Sequence, residues 1–257
     1  MDDFERYGDY NEVDVAPKKR PVLKAIKYIA IVLIFSIIGF LVFRIFTINY
    51  YPGSMESFHF TDTLRSHYAE KGGNIKVEEV ELRAPYDDEK EGNFFADYVM
   101  ICREAGTLQV TLRYNTSIAD EFESAYGCKV DVENKDIFTF SLMYHVEGTA
   151  ATEFVGTGHL VYAEWDSFLM YRYVKLVFED VDFAALDALD DKGTPETEDD
   201  APISRWLALD IHVDGVQYKD SKTKEMVDKE FKILVYDNLN EQTRLSDYEL
   251  SSDEVPA

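Results

Sequence analysis

Carboxylates dominate the residues of this chain that could do chemistry. Ten of them lie between positions 179 and 200, where Lys192 is the single basic residue. Calcium is bound in proteins by roughly six to eight oxygen ligands, which carboxylates supply readily. Asp180 and Asp182 are the best-placed candidates because they follow a predicted strand, and Asp187 is close behind them. These three residues are the candidate calcium ligands, although the run lacks the D-x-D-x-D-G pattern of a calcium loop and also fits a simply solvated acidic loop.

Sequence patterns that mark catalytic sites are missing. The five histidines are scattered without an H-E-x-x-H pair, and neither G-x-S-x-G nor C-x-x-C occurs. The glycines at 156 and 158 lack the third glycine and the following helix of a nucleotide-binding loop. The sequence therefore predicts a protein that is not an enzyme and needs no cofactor. An enzyme that uses an unrecognised pair of carboxylates stays open as an alternative.

Aromatic residues offer a second kind of binding chemistry. Tyr171 and Tyr173 share one side of a predicted strand with Lys175. An exposed aromatic stripe of this kind can stack sugar rings or anchor a protein partner. A strand buried on both faces gives the same pattern, and the run at 168–180 is apolar on both sides. The second interpretation is the favoured one.

An uncharged apolar run at 28–43 fixes the location of everything else. It contains twelve Ile, Leu, Val or Phe residues, and residues 45–47 extend it far enough to cross a bilayer as a helix. We predict a transmembrane signal anchor at 25–50 that contacts the lipid bilayer, preceded by a tail at 1–24. A cleaved signal peptide is the main alternative, but the residues after the run offer no A-x-A cleavage site.

Charges beside the anchor predict its orientation. Five basic residues precede the apolar run, whereas Arg44 alone follows it before Arg65; the five are Lys18, Lys19, Arg20, Lys24 and Lys27. The more basic flank of a membrane helix stays in the cytoplasm. We therefore expect a cytoplasmic N-terminal tail and an extracytoplasmic domain at the cell membrane.

The outer part of the chain is strongly acidic. Residues 45–257 carry 19 basic and 44 acidic groups, a net charge of −25, although the whole chain carries −24. A field of this sign repels nucleic acid, which proteins bind with Lys and Arg. It favours cationic partners or divalent ions. Nucleic acid is therefore excluded as a partner.

Beyond the anchor, apolar residues recur at every second position, which is the strand period. The clearest case is 107–115, where polar residues alternate with Leu108, Val110, Leu112 and Tyr114. Hairpins are predicted at 156–158 and at Asp214-Gly215. Short helices are predicted at 61–71 and 117–127. Strands without long intervening helices predict an all-β fold, an antiparallel β-sandwich of immunoglobulin-like or jelly-roll-like type, at 54–240. Residues 241–257 are predicted to form a flexible tail.

These observations predict a membrane-anchored envelope protein whose acidic β-domain is a non-enzymatic module for binding a protein or polymer. A module that binds sugar or a divalent ion is the next hypothesis, and the carboxylate enzyme is the third. Cys102 and Cys128 are the two cysteines of the chain, and their spacing leaves a disulfide between them open.

Overall fold

The computed structural model describes residues 21–48, 50–82, 93–147, 153–184, 204–237 and 243–256. The chain divides into two units, Met1–Tyr50 and Tyr51–Ala257. The first is represented in the described residues by one helix, and the second is a β-domain with short helices.

The first unit contains helix α1, Pro21–Ile48. Its candidate membrane span is Ala25–Phe46, 22 residues with a mean hydropathy of 2.8. At 1.5 Å per residue this span is about 33 Å long, close to the roughly 30 Å of a bilayer core. Its side chains are exposed along the whole span. The predicted apolar helix is confirmed, and it is long enough to serve as a membrane anchor.

The β-domain is built from ten described strands and three short helices. The helices are α2, Gly53–Glu56; α3, Asp62–Glu70; and α4, Ile118–Tyr126. The strands are β1, Val77–Leu82; β2, Phe94–Cys102; β3, Thr107–Asn115; β4, Phe138–Glu147; β5, Glu153–Gly156; β6, His159–Phe168; β7, Tyr171–Glu179; β8, Ser204–Lys219; β9, Met226–Asp237; and β10, Thr243–Tyr248. Both predicted helices correspond to observed ones, within one or two residues at each end.

The strands form two antiparallel sheets. One sheet has six strands in the order β10-β1-β2-β3-β7-β6, and the other has four in the order β5-β4-β8-β9. Neither sheet closes into a barrel. The two sheets share one hydrophobic core, as the rings of Phe94 on β2 and Phe231 on β9 show with centroids 5.4 Å apart. The predicted antiparallel β-sandwich is confirmed.

The strand alternation decides which residues enter that core. Leu108, Val110 and Leu112 of β3 are fully buried between the sheets. The intervening residues of β3 point to the opposite face of the six-stranded sheet. Helix α4 adds Phe122, whose ring centroid lies 5.2 Å from that of Phe231. Tyr114 of β3 also lies in this core, where its hydroxyl donates to Val132 O at 2.9 Å.

The predicted hairpin at Gly156-Thr157-Gly158 is wrong. These residues carry the chain from β5 in the four-stranded sheet to β6 in the six-stranded sheet. The backbone N–H of Thr157 donates to Leu142 O at 3.0 Å, and Gly158 has a φ of +65°. A side chain at 158 would lie 2.9 Å from Val181 Cγ2, so glycine serves a close crossing between the sheets and not a two-strand turn.

The predicted hairpin at Asp214-Gly215 is also wrong. Strand β8 runs through both residues, and the chain turns at Asp220–Glu225 instead. The pairing of β8 with β9 shifts between His212 and Gln217, so the Gly215 φ of +85° belongs to a bulge. Asp220 Oδ1 makes the real turn by accepting the N–H groups of Lys222 and Thr223.

The predicted flexible tail at 241–257 needs the same kind of correction. Strand β10 pairs with β1 over six residues, from Val77 opposite Tyr248 to Leu82 opposite Thr243. The residues after β10 also join the domain, since Leu250 packs in its second hydrophobic cluster. The composition of this segment is polar, but backbone pairing and a few apolar contacts hold it in place.

Phe122 tests whether α4 is part of the sandwich core. We expect Phe122→Ala to lower the free energy of unfolding by about 3–5 kcal/mol, because a fully buried ring is replaced by a cavity. Each kcal/mol corresponds to roughly 2–4 °C of melting temperature in a domain of this size. Ser124→Ala, on the exposed side of the same helix, should leave the melting temperature almost unchanged. Equal stability of the two variants would contradict the packing described for α4.

Candidate functional site

The outer face of the six-stranded sheet is covered at its centre by residues 51–60, which we call the juxtamembrane segment because they follow the candidate membrane anchor α1 in sequence. Met55, Phe58 and Phe60 of this segment are buried. Phe58 and Phe60 lie in a second hydrophobic cluster with Met100 and Cys102 of β2, on the side of the sheet away from the main core. The central strands β3 and β7 are therefore covered on both faces, by the second sheet on one side and by the juxtamembrane segment on the other, whereas edge strand β6 is largely exposed.

Lys175 is the central polar contact beneath this segment. Only 1% of the residue is exposed. Its ammonium donates to the carbonyl oxygens of Ser54 and Ser57, the latter at 2.7 Å, and contacts the Ser57 hydroxyl at 3.3 Å. Burial lowers the pKa of Lys175, while the charges of Glu164 and Glu254 act in the opposite direction. A buried ammonium needs such acceptors, since without them its desolvation is costly.

Two neighbours on β3 complete the contacts to the segment's backbone. Gln109 Oε1 accepts the backbone N–H of His59 at 2.8 Å, and its Nε2 donates to Ser57 O at 3.0 Å. The hydroxyl of Thr111 donates to Met55 O at 2.9 Å. Both side chains are fully buried. They satisfy backbone groups that an irregular segment would otherwise bury unpaired.

Glu254 holds the same segment from the C-terminal side. Its carboxylate accepts the backbone N–H of Phe58 at 2.6 Å, the hydroxyl of Tyr248 at 2.6 Å and the N–H of Ser251 at 2.7 Å. Burial opposes ionisation, but these hydrogen bonds together hold the pKa of Glu254 below its usual value. The segment after β10 is thus tied to the segment before α3.

An aromatic cluster around Arg113 fixes the start of the juxtamembrane segment. The guanidinium of Arg113 lies 5.5 Å from the ring centroid of Tyr51, 5.8 Å from Phe95 and 5.3 Å from Tyr171. It also donates to both carboxylate oxygens of Asp97, at 3.0 and 3.2 Å. Burial raises the pKa of Asp97, and the Arg113 charge partly offsets this.

A cavity of about 420 Å³ opens where the juxtamembrane segment meets edge strand β6. Nine residues line it, from the end of that segment, the start of α3, and strands β6 and β7: His59, Phe60, Thr61, Asp62, Thr63, Arg65, Val161, Tyr162 and Glu179. The rings of His59 and Tyr162 are stacked with centroids 3.7 Å apart. Burial, followed by the charge of Lys175, lowers the pKa of His59. The cavity is partly open to solvent, and its lining combines aromatic rings with carboxylates, which can stack against or accept hydrogen bonds from a small polar ligand.

The candidate calcium ligands are not gathered around one point in the described residues. Asp180 has a φ of +57°, and its carboxylate lies 3.2 Å from His159 Nδ1. Asp182 is exposed and engages the fold through its backbone, which accepts from the Tyr144 hydroxyl. Asp187 lies outside the described residues. Within the described ranges no group of three or more His, Cys, Asp or Glu side chains could hold a metal ion. Calcium binding therefore stays a prediction.

The structure also tests the possible aromatic stripe on β7 and the possible disulfide between the two cysteines. Tyr173 and Lys175 are fully buried and Tyr171 is half-buried, so the strand is covered on both faces and presents no open aromatic stripe. Cys102 is buried and Cys128 half-buried, and both are free thiols. The disulfide left open by the sequence is not formed.

Sequence reasoning missed Gln109, Thr111 and Glu254. A signal for the first two was present, because the non-core side of β3 carries no acid: its residues are Thr107, Gln109, Thr111, Arg113 and Asn115. In a domain of net charge −25, a solvent-exposed strand face would be expected to carry acids. Glu254 had no such signal, since it is one acid among many.

Comparison with known proteins does not identify a family for this chain: no family model, curated protein or solved structure matches it.

The Thr111 hydroxyl tests the attachment of the juxtamembrane segment. We expect Thr111→Val to lower the free energy of unfolding by about 1 kcal/mol, since a buried hydrogen bond to Met55 O is lost at constant side-chain volume. Thr139→Val on β4 is the matched control, because Thr139 is exposed. Denaturant unfolding of the full chain in detergent measures both. The attachment would be disproved if both variants unfolded like the wild type.

The lowered pKa of Glu254 predicts that the stability of the β-domain depends on pH. Because its pKa is lowered in the folded state, its contribution is present above the usual value of 4.5 and is lost as the pH falls through the folded-state pKa. We expect Glu254→Gln to cost about 1–2 kcal/mol of unfolding free energy at neutral pH. The difference from the wild type should shrink as the pH falls below 4.5.

Asp253→Asn is the control for this experiment, since Asp253 is exposed beside Glu254 in the sequence. It should change stability little at any pH in that range. A cost of Glu254→Gln that stays constant down to about pH 3.5 would contradict the charged hydrogen bonds assigned to Glu254.

Proposed function

We propose that this protein is a single-pass, membrane-anchored and non-enzymatic module of the cell envelope, whose β-domain binds a protein partner. The observation that carries the proposal is a row of four exposed apolar side chains, two near the start of β6 and two in the turn that follows its other end. Leu160 and Val161 are 38% and 39% exposed, and Leu169 and Met170 in the turn are 55% and 48% exposed. Exposed apolar side chains at both ends of one edge strand support a protein interaction surface there.

The anchor supports a function at the membrane. Helix α1 has the length and hydropathy of a bilayer span. The five basic residues before it favour a cytoplasmic N-terminus and an extracytoplasmic β-domain. Residues 49 and 50 alone connect the helix to the juxtamembrane segment, which is part of the β-domain fold. The net charge of −25 on residues 45–257 favours partners with cationic surfaces over nucleic acid.

Sugar binding is the second candidate function, and the cavity beside β6 favours it. Its wall includes the stacked His59 and Tyr162 rings, and Asp62 and Glu179 provide carboxylates. Sugars bind to such combinations of an aromatic face and polar groups. The protein-binding function is preferred because a second exposed apolar pair, Leu169 and Met170, follows the end of β6 that is far from the cavity.

Photo-crosslinking in intact cells tests the proposed function. We expect benzoylphenylalanine in place of Met170 to give a discrete covalent adduct with one protein, because Met170 belongs to the exposed row. Benzoylphenylalanine in place of Met226 is the matched control, since Met226 is 56% exposed on the other sheet. Protease added outside the cells should degrade the adduct if the domain is extracytoplasmic. Adducts of equal yield at both positions, or none at Met170, would reject binding at β6.

A further inference from the structure

Strand β6 is a long, open edge of the six-stranded sheet. Among the described strands β7 is its only neighbour, so the other side of β6 has no strand beside it. The pairing with β7 is irregular at Val161 and then regular from Tyr162 opposite Val177 to Phe168 opposite Tyr171. These seven residues form a regular edge to which another strand could add its backbone hydrogen bonds.

Between Tyr162 and Phe168 this edge carries less protection than the other described edges, because its irregularity lies before this stretch, at Val161, and its charged residues are acids. Edge strands are usually kept from pairing by Lys or Pro, by bulges, or by being very short. Strand β5 has four residues, β10 has six, and β9 carries Lys229 opposite the large bulge of β8 and Lys232 opposite Asp210. Strand β6 contains no Lys, Arg or Pro, and no Lys or Arg occurs anywhere from 136 to 171.

The two faces of β6 differ in chemistry. Trp165 points toward the sandwich, where its ring lies 5.6 Å from that of Phe138 and 6.1 Å from that of Phe140. Alternation places Glu164 and Asp166 on the opposite face, together with Tyr162, whose hydroxyl donates to Glu164 at 3.1 Å. A strand added at this edge would therefore meet acids on one face and apolar or small side chains on the other.

A second copy of this chain is a poor occupant of the edge. A two-fold axis that pairs β6 with itself places the same face of both copies together. In every such register the Glu164 and Asp166 side chains of both copies lie on one face of the joined sheet. In several registers an acid of one copy lies directly opposite an acid of the other. Like charges opposite each other destabilise a strand pair. The acids thus oppose self-association at an edge that is otherwise open.

We propose that β6 binds a partner protein by strand addition, through an extended segment in which basic residues alternate with apolar ones. The basic side chains lie beside Glu164 and Asp166, and the apolar ones lie on the Trp165 side. The backbone of Tyr162–Phe168 supplies the hydrogen bonds. This inference rests on the proposed protein-binding function and adds the mode of binding and the chemistry of the partner.

Binding of synthetic peptides to the full chain in lipid nanodiscs tests the strand addition. The probe is a seven-residue peptide of alternating Lys and Val, with a fluorescent label, matched in length to Tyr162–Phe168. Two further peptides carry N-methyl groups on alternate amides, one on the odd and one on the even positions. Because an added strand turns every second amide toward the sheet, we expect one methylated peptide to bind like the parent and the other to lose binding.

Two paired variants test the role of the acids. We expect Glu164→Gln with Asp166→Asn to weaken binding of the parent peptide roughly tenfold, since two cross-strand ion pairs are removed. Both substitutions keep the oxygen that accepts from Tyr162 or from the Ser167 N–H. Asp228→Asn with Glu230→Gln removes the same charge from edge strand β9 and should leave the affinity within about twofold.

The proposal would be overturned if both methylated peptides bound equally, if a peptide with Lys and Val in separate blocks bound as well as the alternating one, or if the β9 variant lost as much affinity as the β6 variant. Failure of the proposed function itself would look different. In that case benzoylphenylalanine at Met170 would capture no partner in cells, whereas a wrong binding mode alone would leave that adduct intact.

Discussion

An ammonium group can be buried beneath a chain segment only if oxygen atoms receive its protons, and this constraint organises one face of the domain. Lys175 rises from the centre of β7 and donates to backbone carbonyls of Ser54 and Ser57. For those carbonyls to reach it, the juxtamembrane segment must lie flat on the sheet, with the single helical turn of α2 as its only regular structure. Gln109 and Thr111 then become necessary, because they form hydrogen bonds with three further backbone groups of that segment: the N–H of His59 and the carbonyl oxygens of Ser57 and Met55.

The same constraint explains why the C-terminus is part of the fold. The N–H of Phe58 has its acceptor in Glu254, which also binds Tyr248 at the end of β10. Strand β10 pairs with β1 at the sheet edge. This pairing places the residues after β10 beside the juxtamembrane segment. The segment that follows α1 and the segment that closes the chain thus depend on each other.

Because β3 and β7 at the centre of the six-stranded sheet are covered on both faces, the edges of the sheet and the cavity at the end of the covering segment offer the surfaces for binding that we propose. Strand β6 is where these coincide, since Val161 and Tyr162 belong to both the edge and the cavity wall. The acidic charge of the domain then affects which partner can bind at β6, because it favours a cationic partner and disfavours a second copy of this chain. This is the physical basis for a membrane-anchored binding protein as the function proposed for the chain.

Most strands were predictable because each core position is decided by local alternation. Leu108, Val110 and Leu112 had to share a face at period two, whatever the rest of the chain did. Turns were less predictable, because a glycine with positive φ serves a hairpin, a bulge and a sheet crossing equally well. Gly215 lies in a bulge and Gly158 in a crossing, and the pairing partners that decide this are remote in sequence. The edge role of β10 was missed for the same reason, since its partner β1 lies more than 150 residues earlier.

The sequence by itself determined the apolar helix, the strand periodicity and the charge imbalance, because these depend only on the order of side chains along the chain. Tertiary structure alone decided that Lys175 is buried, since that depends on which segment covers its strand. It also decided that Glu254, unlike the many solvated acids of the chain, accepts three hydrogen bonds from backbone and side-chain donors. Such roles arise from contacts between residues more than a hundred positions apart, as between Lys175 and Ser57, and no local pattern records them.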